Sequence, residues 1–414
     1  MRTKIHVILL CTIVLCACER NNQTGTGGNG VKDPVAIHLS PVQEIMTEDC
    51  NDFSFELLQK VYADDQKNEN IILSPLSASM ALGMLMNGAD GNTLKQMSET
   101  TGFDKDATIE DINLYFKTLL KALPALDQSN TVHIANSIWA QEGYPFHDTF
   151  LQTNREFFSA SIQNVDFDDT RTADLINRWA SDNTNQLIKK VIEPKDLTNL
   201  RMLLANALYF KGVWAVAFDK SQTEPYDFTT ASGKAVKADF MNLTSDYAYY
   251  EDDDVRLVEL PYKEGKYCMD ILLPAKDKDL KKTVDKLDAA VWKEYIRKMK
   301  QAEVYLSIPK FSLSRESDLS SVLEQMGMTD AFNPDMADFS LLSGRPLFIG
   351  KVKQVCQLNV DEEGTEAAAV TTIGTYEKSS VNPFHRFVAD RPFLLVIREK
   401  QYGTILFTAV IDSL

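Results

Sequence analysis

A run of small residues stands where the flanking pattern calls for large ones. It reads Asp361-Glu362-Glu363-Gly364-Thr365-Glu366-Ala367-Ala368-Ala369-Val370-Thr371-Thr372 and continues to Pro383, between the β-like segments Leu347–Val360 and Phe393–Ile397. Segments this long without secondary structure are uncommon inside a compact domain, and those that occur are usually functional or unstructured. On composition alone this one reads as a surface loop without a role. Paired as a strand, it does more. Alternation puts Thr365, Ala367, Ala369 and Thr371 on one face, a row small enough to slide between two existing strands. Glu366, Ala368 and Val370 fall on the other face, and Gly364 supplies the backbone freedom that a hinge requires.

The body around it mixes helix and strand. Phe53, Phe55, Leu57, Leu58 and Val61 predict a first amphipathic helix. Asn70-Ile71-Ile72-Leu73 is a short apolar strand, after which Ser74 is expected to cap a helix with Pro75 at its first position. That helix is apolar nearly all round, so it should be buried, and Gly88 should end it. Residues 106–123 and 171–190 predict two more helices. Met202–Phe210, Met269–Leu273, Val304–Ile308 and Leu347–Val360 predict strands, and Phe393–Ile397 with Ile405–Val410 predicts a hairpin around Gly403. Helices lead and strands follow without βαβ alternation, which points to an α+β fold.

The start of the chain is set apart. Arg2 and Lys4 precede an apolar run, Ile5 to Leu15, too short to span a bilayer, and Leu15-Cys16-Ala17-Cys18 follows. This resembles a bacterial lipobox, which makes residues 1–17 a signal peptide and Cys18 the acylated first residue of the mature chain. Residues 18–44, rich in Asn, Gly and Thr, read as a flexible tether. Its Gly25-Thr26-Gly27-Gly28-Asn29-Gly30 matches GxGxxG formally but lacks the strand and helix a nucleotide site needs. Residues 45–414 are expected as a single domain.

Catalytic constellations are missing. The 43 Lys and Arg against 59 Asp and Glu give a net charge of −16, which argues against nucleic-acid binding. The histidines are His6, His38, His133, His147 and His385, and no HExxH, GxSxG or phosphate-binding loop accompanies them. No metal or cofactor is expected. Cys50, Cys268 and Cys356 show no pairing pattern, and Cys268 and Cys356 are expected as buried thiols.

Four separated segments resemble one family. Glu362-Glu363-Gly364-Thr365-Glu366-Ala367-Ala368-Ala369 is similar to the hinge of inhibitory serpins, and Phe387-Val388-Ala389-Asp390-Arg391-Pro392-Phe393-Leu394-Leu395-Val396-Ile397 to the segment that follows their reactive loop. Asn70–Ser77 resembles their strand-to-helix junction, and Asn206–Trp214 the strand leading to their breach tryptophan, here Trp214. The resemblance covers about residues 50–414. It implies three β-sheets, eight or nine helices and an exposed reactive-centre loop over about 362–386.

The implied function is suicide inhibition of serine, and by extension cysteine, proteases by a chain that is not itself an enzyme. Family spacing from Glu362 places the scissile bond at Lys378–Ser379. If the few extra residues before Pro392 lie ahead of the cut, the bond moves one to three residues toward Ser380 or Val381. A lysine before the cut suits a trypsin-like protease, whose specificity pocket is acidic. The expected partners are such proteases, in covalent 1:1 complexes with a monomeric inhibitor, and the lipid bilayer through Cys18, at the cell envelope outside the cytoplasm. The alternative is a non-inhibitory serpin acting as a binding module. Gln354 stands where many members have a histidine beneath the central sheet, which leaves the hydrogen bonds there open. The helix at 106–123 offers only Lys117 and Lys121, so a heparin-type site is not expected there.

Overall fold

Helix α1 (Pro41–Asp64) opens with a capping box, the Ser40 hydroxyl accepting from the Gln43 N–H while Pro41 sits in the first turn. The computed structural model describes residues 36–65, 69–103, 107–365 and 385–414. The body reaches further toward the N-terminus than the expected boundary at residue 45. Ile37 is fully buried, and the Leu39 N–H donates to the Tyr402 hydroxyl.

Nine α-helices lie among the described residues. Helix α2 (Pro75–Met86) is buried almost throughout, as its all-round apolar sequence predicts. Ser74 does not cap it; its hydroxyl instead donates to the Leu406 carbonyl. Helices α3 (Gly91–Thr100), α4 (Ile109–Ala122) and α5 (Asp148–Phe158) follow. Helix α6 (Arg171–Asn183) stops short of the expected residue 190, because Asn185 and Gln186 turn left-handed at φ 50° and 61°. The rest are α7 (Leu280–Val284), α8 (Ala289–Lys298) and α9 (Ser320–Gln325).

One sheet has six strands in the order β10 (Phe311–Asp318), β11 (Lys353–Val360), β12 (Gly364–Thr365), β4 (Met202–Val213), β2 (Thr131–Gln141) and β3 (Ser161–Val165). The expected strand from Leu347 begins only at Lys353. Its earlier N–H groups go elsewhere, Ile349 to the Ala331 carbonyl and Val352 to the Ser320 hydroxyl.

The other ladder runs β1 (Ile71–Leu73), β15 (Ile405–Ile411), β14 (Phe393–Glu399), β8 (Tyr267–Pro274), β7 (Val255–Pro261), β6 (Ala235–Glu251), β9 (Lys300–Pro309) and β13 (His385–Val388), with β5 (Glu224–Thr229) on β6. Strand β6 belongs to two sheets. Its residues Ala235–Phe240 pair β5 and Phe240–Tyr249 pair β9, whereas Ala248–Glu251 reach β7, so two sheets share one long strand. With the six-stranded sheet this makes the three expected. The predicted hairpin around Gly403 is β14–β15.

The main core fills the space between the sheets and α1, α2 and α4. A second, smaller cluster lies under α6 and joins Trp139, Phe167, Ile176 and Ile192.

Candidate functional site

The chain reverses direction where β11 ends. The Asp361 carboxylate accepts the N–H groups of Glu363 (2.9 Å) and Gly364 (3.2 Å), an Asx-type turn built from its own sequence. The reversal sets β12 between β11 and β4, antiparallel to both. Thr365 lies opposite Val360 on one side and Gly212 on the other, and Gly364 opposite Val213. Only a residue without a side chain fits at 364, since a Cβ there would stand 1.9 Å from the Gly212 carbonyl oxygen. Beyond this rung, no ladder joins β11 directly to β4 among the described residues.

Thr365 points inward, as the alternation predicts, and is 1% exposed. Its hydroxyl meets that of Tyr262 at 2.7 Å. Burial pushes the Tyr262 phenol well above its ordinary range, so the contact stays between two neutral hydroxyls. Trp214 stacks on Tyr262, with ring centroids 4.8 Å apart and planes 7° from parallel. Its indole N–H donates to the Asp361 carbonyl (2.9 Å) and its backbone N–H to the Glu363 carbonyl (3.0 Å). The Phe218 N–H takes the Glu362 carbonyl at 2.9 Å. The tryptophan segment therefore holds the backbone of residues 361–363 at three points.

Glu362 and Glu363 are both paired. Glu362, nearly buried, receives the Thr223 hydroxyl at 2.9 Å and Lys310 Nζ at 3.3 Å. Burial pushes its carboxyl up, but the backbone, Thr223 and Lys310 together hold it below the usual glutamate range. Glu363 pairs with Lys220 at 2.6 Å. Glu362, Thr223, Lys310 and Lys220, with Asp239 and Asp361, line a polar cleft of about 490 Å³.

Further down the sheet, the start of α2 latches both flanking strands. Gln354 of β11 accepts the Ser74 N–H (3.0 Å) and donates to the Ser74 carbonyl (2.8 Å). Asn206 of β4 accepts the Ser77 hydroxyl and donates to Asn136 of β2 at 2.6 Å. The glutamine thus supplies hydrogen bonds at the position the sequence left open, and it carries no titrating group.

Of the residues singled out from sequence, Glu362, Glu363, Gly364, Thr365 and Trp214 come together here. Glu366, Ala367, Ala368, Ala369, Lys378, Ser379 and Cys18 lie outside the described residues. Tyr262, Lys220, Thr223 and Lys310 were not expected in the site. Each reaches the hinge from a strand or turn remote in sequence, and no local pattern marks them. Cys50, Cys268 and Cys356 are buried free thiols, and burial pushes Cys50 and Cys356 up to about 12. Glu259, Cys268 and Asp270 converge, but Arg398 bonds Asp270 (2.6 Å) and Glu259, with Lys400 also on Glu259, so protein cations already balance the carboxylates.

Comparison with known proteins agrees with this geometry. Human Neuroserpin is 30% identical over 86% of this chain and 88% of its own length. Serpin B6 of Pongo abelii is 33% identical over 89% of this chain and all of its own. The crystal structure of the thermophilic serpin tengpin in its native state superposes with a TM-score of 0.83 at 33% identity, covering 92% of this chain and 97% of that one. The family model described as Serpin (serine protease inhibitor) matches residues 48–413, and the chain belongs to the serpin family.

Proposed function

We propose that this chain is an irreversible inhibitor of trypsin-like serine proteases that works by inserting its cleaved loop into the six-stranded sheet. The observation that carries the reading is the seated first rung, Thr365 paired on both sides and facing inward. Its register fixes what insertion means. Thr365 lies opposite Gly212, so continuing the antiparallel count sets residues 366–375 against Lys211 back to Met202, the whole of β4. The same count from Val360 sets 366–372 against the whole of β11.

The chemistry belongs to the target. The protease serine attacks the Lys378 carbonyl, the Ser379 amine leaves, and an ester joins the protease to Lys378. Insertion then carries that ester the length of about 13 residues, roughly 43 Å at ~3.3 Å each. Ten newly paired residues, at ~0.5–1.5 kcal/mol per net hydrogen bond, supply on the order of 10 kcal/mol. This is enough to deform an enzyme held by its own active site. Membrane attachment through an acylated Cys18, at the cell envelope, completes the proposal.

Incubating residues 36–414 with trypsin tests it. The expected result is a 1:1 complex that survives SDS, with a mass locating the ester at Lys378. Cleavage at the loop with trypsin left fully active would overturn inhibition and favour the non-inhibitory binding module. Acylation is tested separately, by the mass of the N-terminal peptide of the full chain.

A further inference from the structure

A groove of about 590 Å³ runs between α6 and the segment that follows it. Its floor is built. Asn177 accepts the N–H groups of Val191 (2.8 Å) and Ile192 (3.0 Å) and donates to the Ile192 carbonyl (2.9 Å), while Ala173 and Ile192 give it an apolar base. Its walls carry three cations and one acid. Arg178 projects from the helix, Lys189 and Lys190 from the segment beyond, and Asp174 is the acid. Lys190 is held by Glu193 at 2.8 Å, whereas neither Arg178 nor Lys189 has an ion-pair partner among the described residues. In a chain of net charge −16, a hydrogen-bonded groove with free cations on two separate walls is a local inversion of sign.

We infer that this groove binds an organic ligand carrying at least two oxyanion ester groups, phosphate or sulfate. Arg178 would take one such group through its planar fork and Lys189 another as a point charge, with the carbon skeleton lying over Ala173 and Ile192. The volume falls within the range of small-molecule sites. Bound there, the ligand cross-links α6 to the following segment. Both rest on β2 and β4 through the small cluster that includes Trp139 and Ile176, apart from the main core. On the proposed inhibitory reading, the lower half of β4 must accept the inserted loop, so a ligand that fixes its cover slows insertion. That consequence rests on the inhibitory reading; the binding itself does not.

Calorimetric titration of residues 36–414 with inositol hexakisphosphate and with a sulfated hexasaccharide tests the site, with the unsulfated hexasaccharide as control. Binding of the compact polyphosphate points to a free phosphate ester as the source, and binding of the sulfated sugar alone to a polysaccharide. Either supports the groove if Arg178→Glu with Lys189→Glu weakens it at least about tenfold, as loss of two charge-assisted contacts should. Lys117→Glu with Lys121→Glu on α4 should leave it unchanged. Absence of binding by both probes, equal binding of the unsulfated sugar, or binding that survives the Arg178 and Lys189 charge reversal would overturn the site. With the ligand present, more inhibitor should be consumed as substrate per trypsin trapped; if binding is confirmed and that ratio does not move, only the link to insertion falls.

Discussion

Thr365→Arg tests the insertion reading at its first step. Thr365 is 1% exposed, sits between Val360 and Gly212, and among the described residues shares its hydroxyl only with the buried Tyr262. Replacing it strips Tyr262 of that partner, which costs about 1–3 kcal/mol. It also demands that an unpaired guanidinium enter the sheet, a further several kcal/mol. The sum is smaller than the ~10 kcal/mol available from full insertion, so the inserted state stays downhill. In the uncut chain arginine expels this rung, so insertion must begin by seating it again, and its barrier rises there. Each ~1.4 kcal/mol is tenfold in rate, so ~4 kcal/mol slows insertion roughly a thousandfold. Deacylation then wins the race. Mixing the variant with trypsin at graded ratios and measuring residual activity should show the inhibitor cleaved at the loop, with no SDS-stable band and the enzyme released. Thr365→Val, which removes only the hydroxyl and so loosens the seated rung without expelling it, should fall between, with more inhibitor consumed per enzyme trapped than in the unaltered chain. If the arginine variant still traps trypsin at 1:1, the hinge does not enter the sheet during inhibition and the reasoning fails.

Gly364→Ala should unpair β12 from β4, because its Cβ would lie 1.9 Å from the Gly212 oxygen; faster hydrogen exchange at Thr365 reports it, and unchanged exchange refutes it. Lys378→Glu should abolish trypsin inhibition without moving the melting temperature, as a trypsin-like pocket excludes a carboxylate. Gln354→Ala removes both bonds to Ser74 and leaves a shielded N–H unpaired, so unprovoked loss of inhibitory activity at 45 °C should accelerate by about tenfold or more. Asp412, buried with one oxygen bonded to Tyr62 and the other without a partner among the described residues, has its carboxyl pushed up to about 6 by burial. A raised pKa contributes stability that is complete below the unfolded value near 3.8 and lost as pH rises through about 6. Asp412→Asn should therefore stabilise the fold at pH 8 by on the order of 3 kcal/mol, seen as a higher melting temperature there, and leave it unchanged at pH 4; equal effects at both pH values would refute the assignment.

The sequence was most legible where one residue's neighbours in the chain are also its neighbours in space. The buried helix after Pro75, the β14–β15 hairpin and the inward face of Thr365 follow from local period and turn chemistry. Reading failed where distant groups override the local pattern. Ser74 reads as an N-cap, but Leu406 and Gln354 claim its hydroxyl and its backbone. Residues 347–352 read as strand, but Ala331 and Ser320 take their N–H groups. The long β6 was not anticipated, since its Tyr- and Asp-rich sequence lacks the apolar run that marks β8. The turn at Gly364 and the inward Thr365 were readable from glycine's freedom and the alternation, whereas their lysine and tyrosine partners were not. A salt bridge between Lys220 and Glu363 leaves no trace in either local sequence.

Seating the first rung changes the kinetic problem that insertion poses. A strand entering a closed sheet must separate two neighbours and fix its own register before any ladder bond rewards it, which is the costly nucleus of non-local pairing. Here both are settled: β12 is registered against β4 and β11, and those two strands share no ladder below it among the described residues. On the proposed inhibitory reading, insertion from this point is propagation, each residue adding pairs on two sides as it enters. What restrains it is then the latch on α2, where Gln354 and Asn206 hold the two flanking strands to Ser74 and Ser77. Weakening the hinge and weakening the latch should accordingly act in opposite directions, the first favouring release of a live protease and the second favouring insertion without one. A double variant, Thr365→Val with Gln354→Ala, separates them. If the latch limits insertion, it should restore part of the trapping lost in Thr365→Val while retaining the faster spontaneous inactivation. Additive loss of trapping would mean that the latch orients the sheet for insertion and does not restrain it.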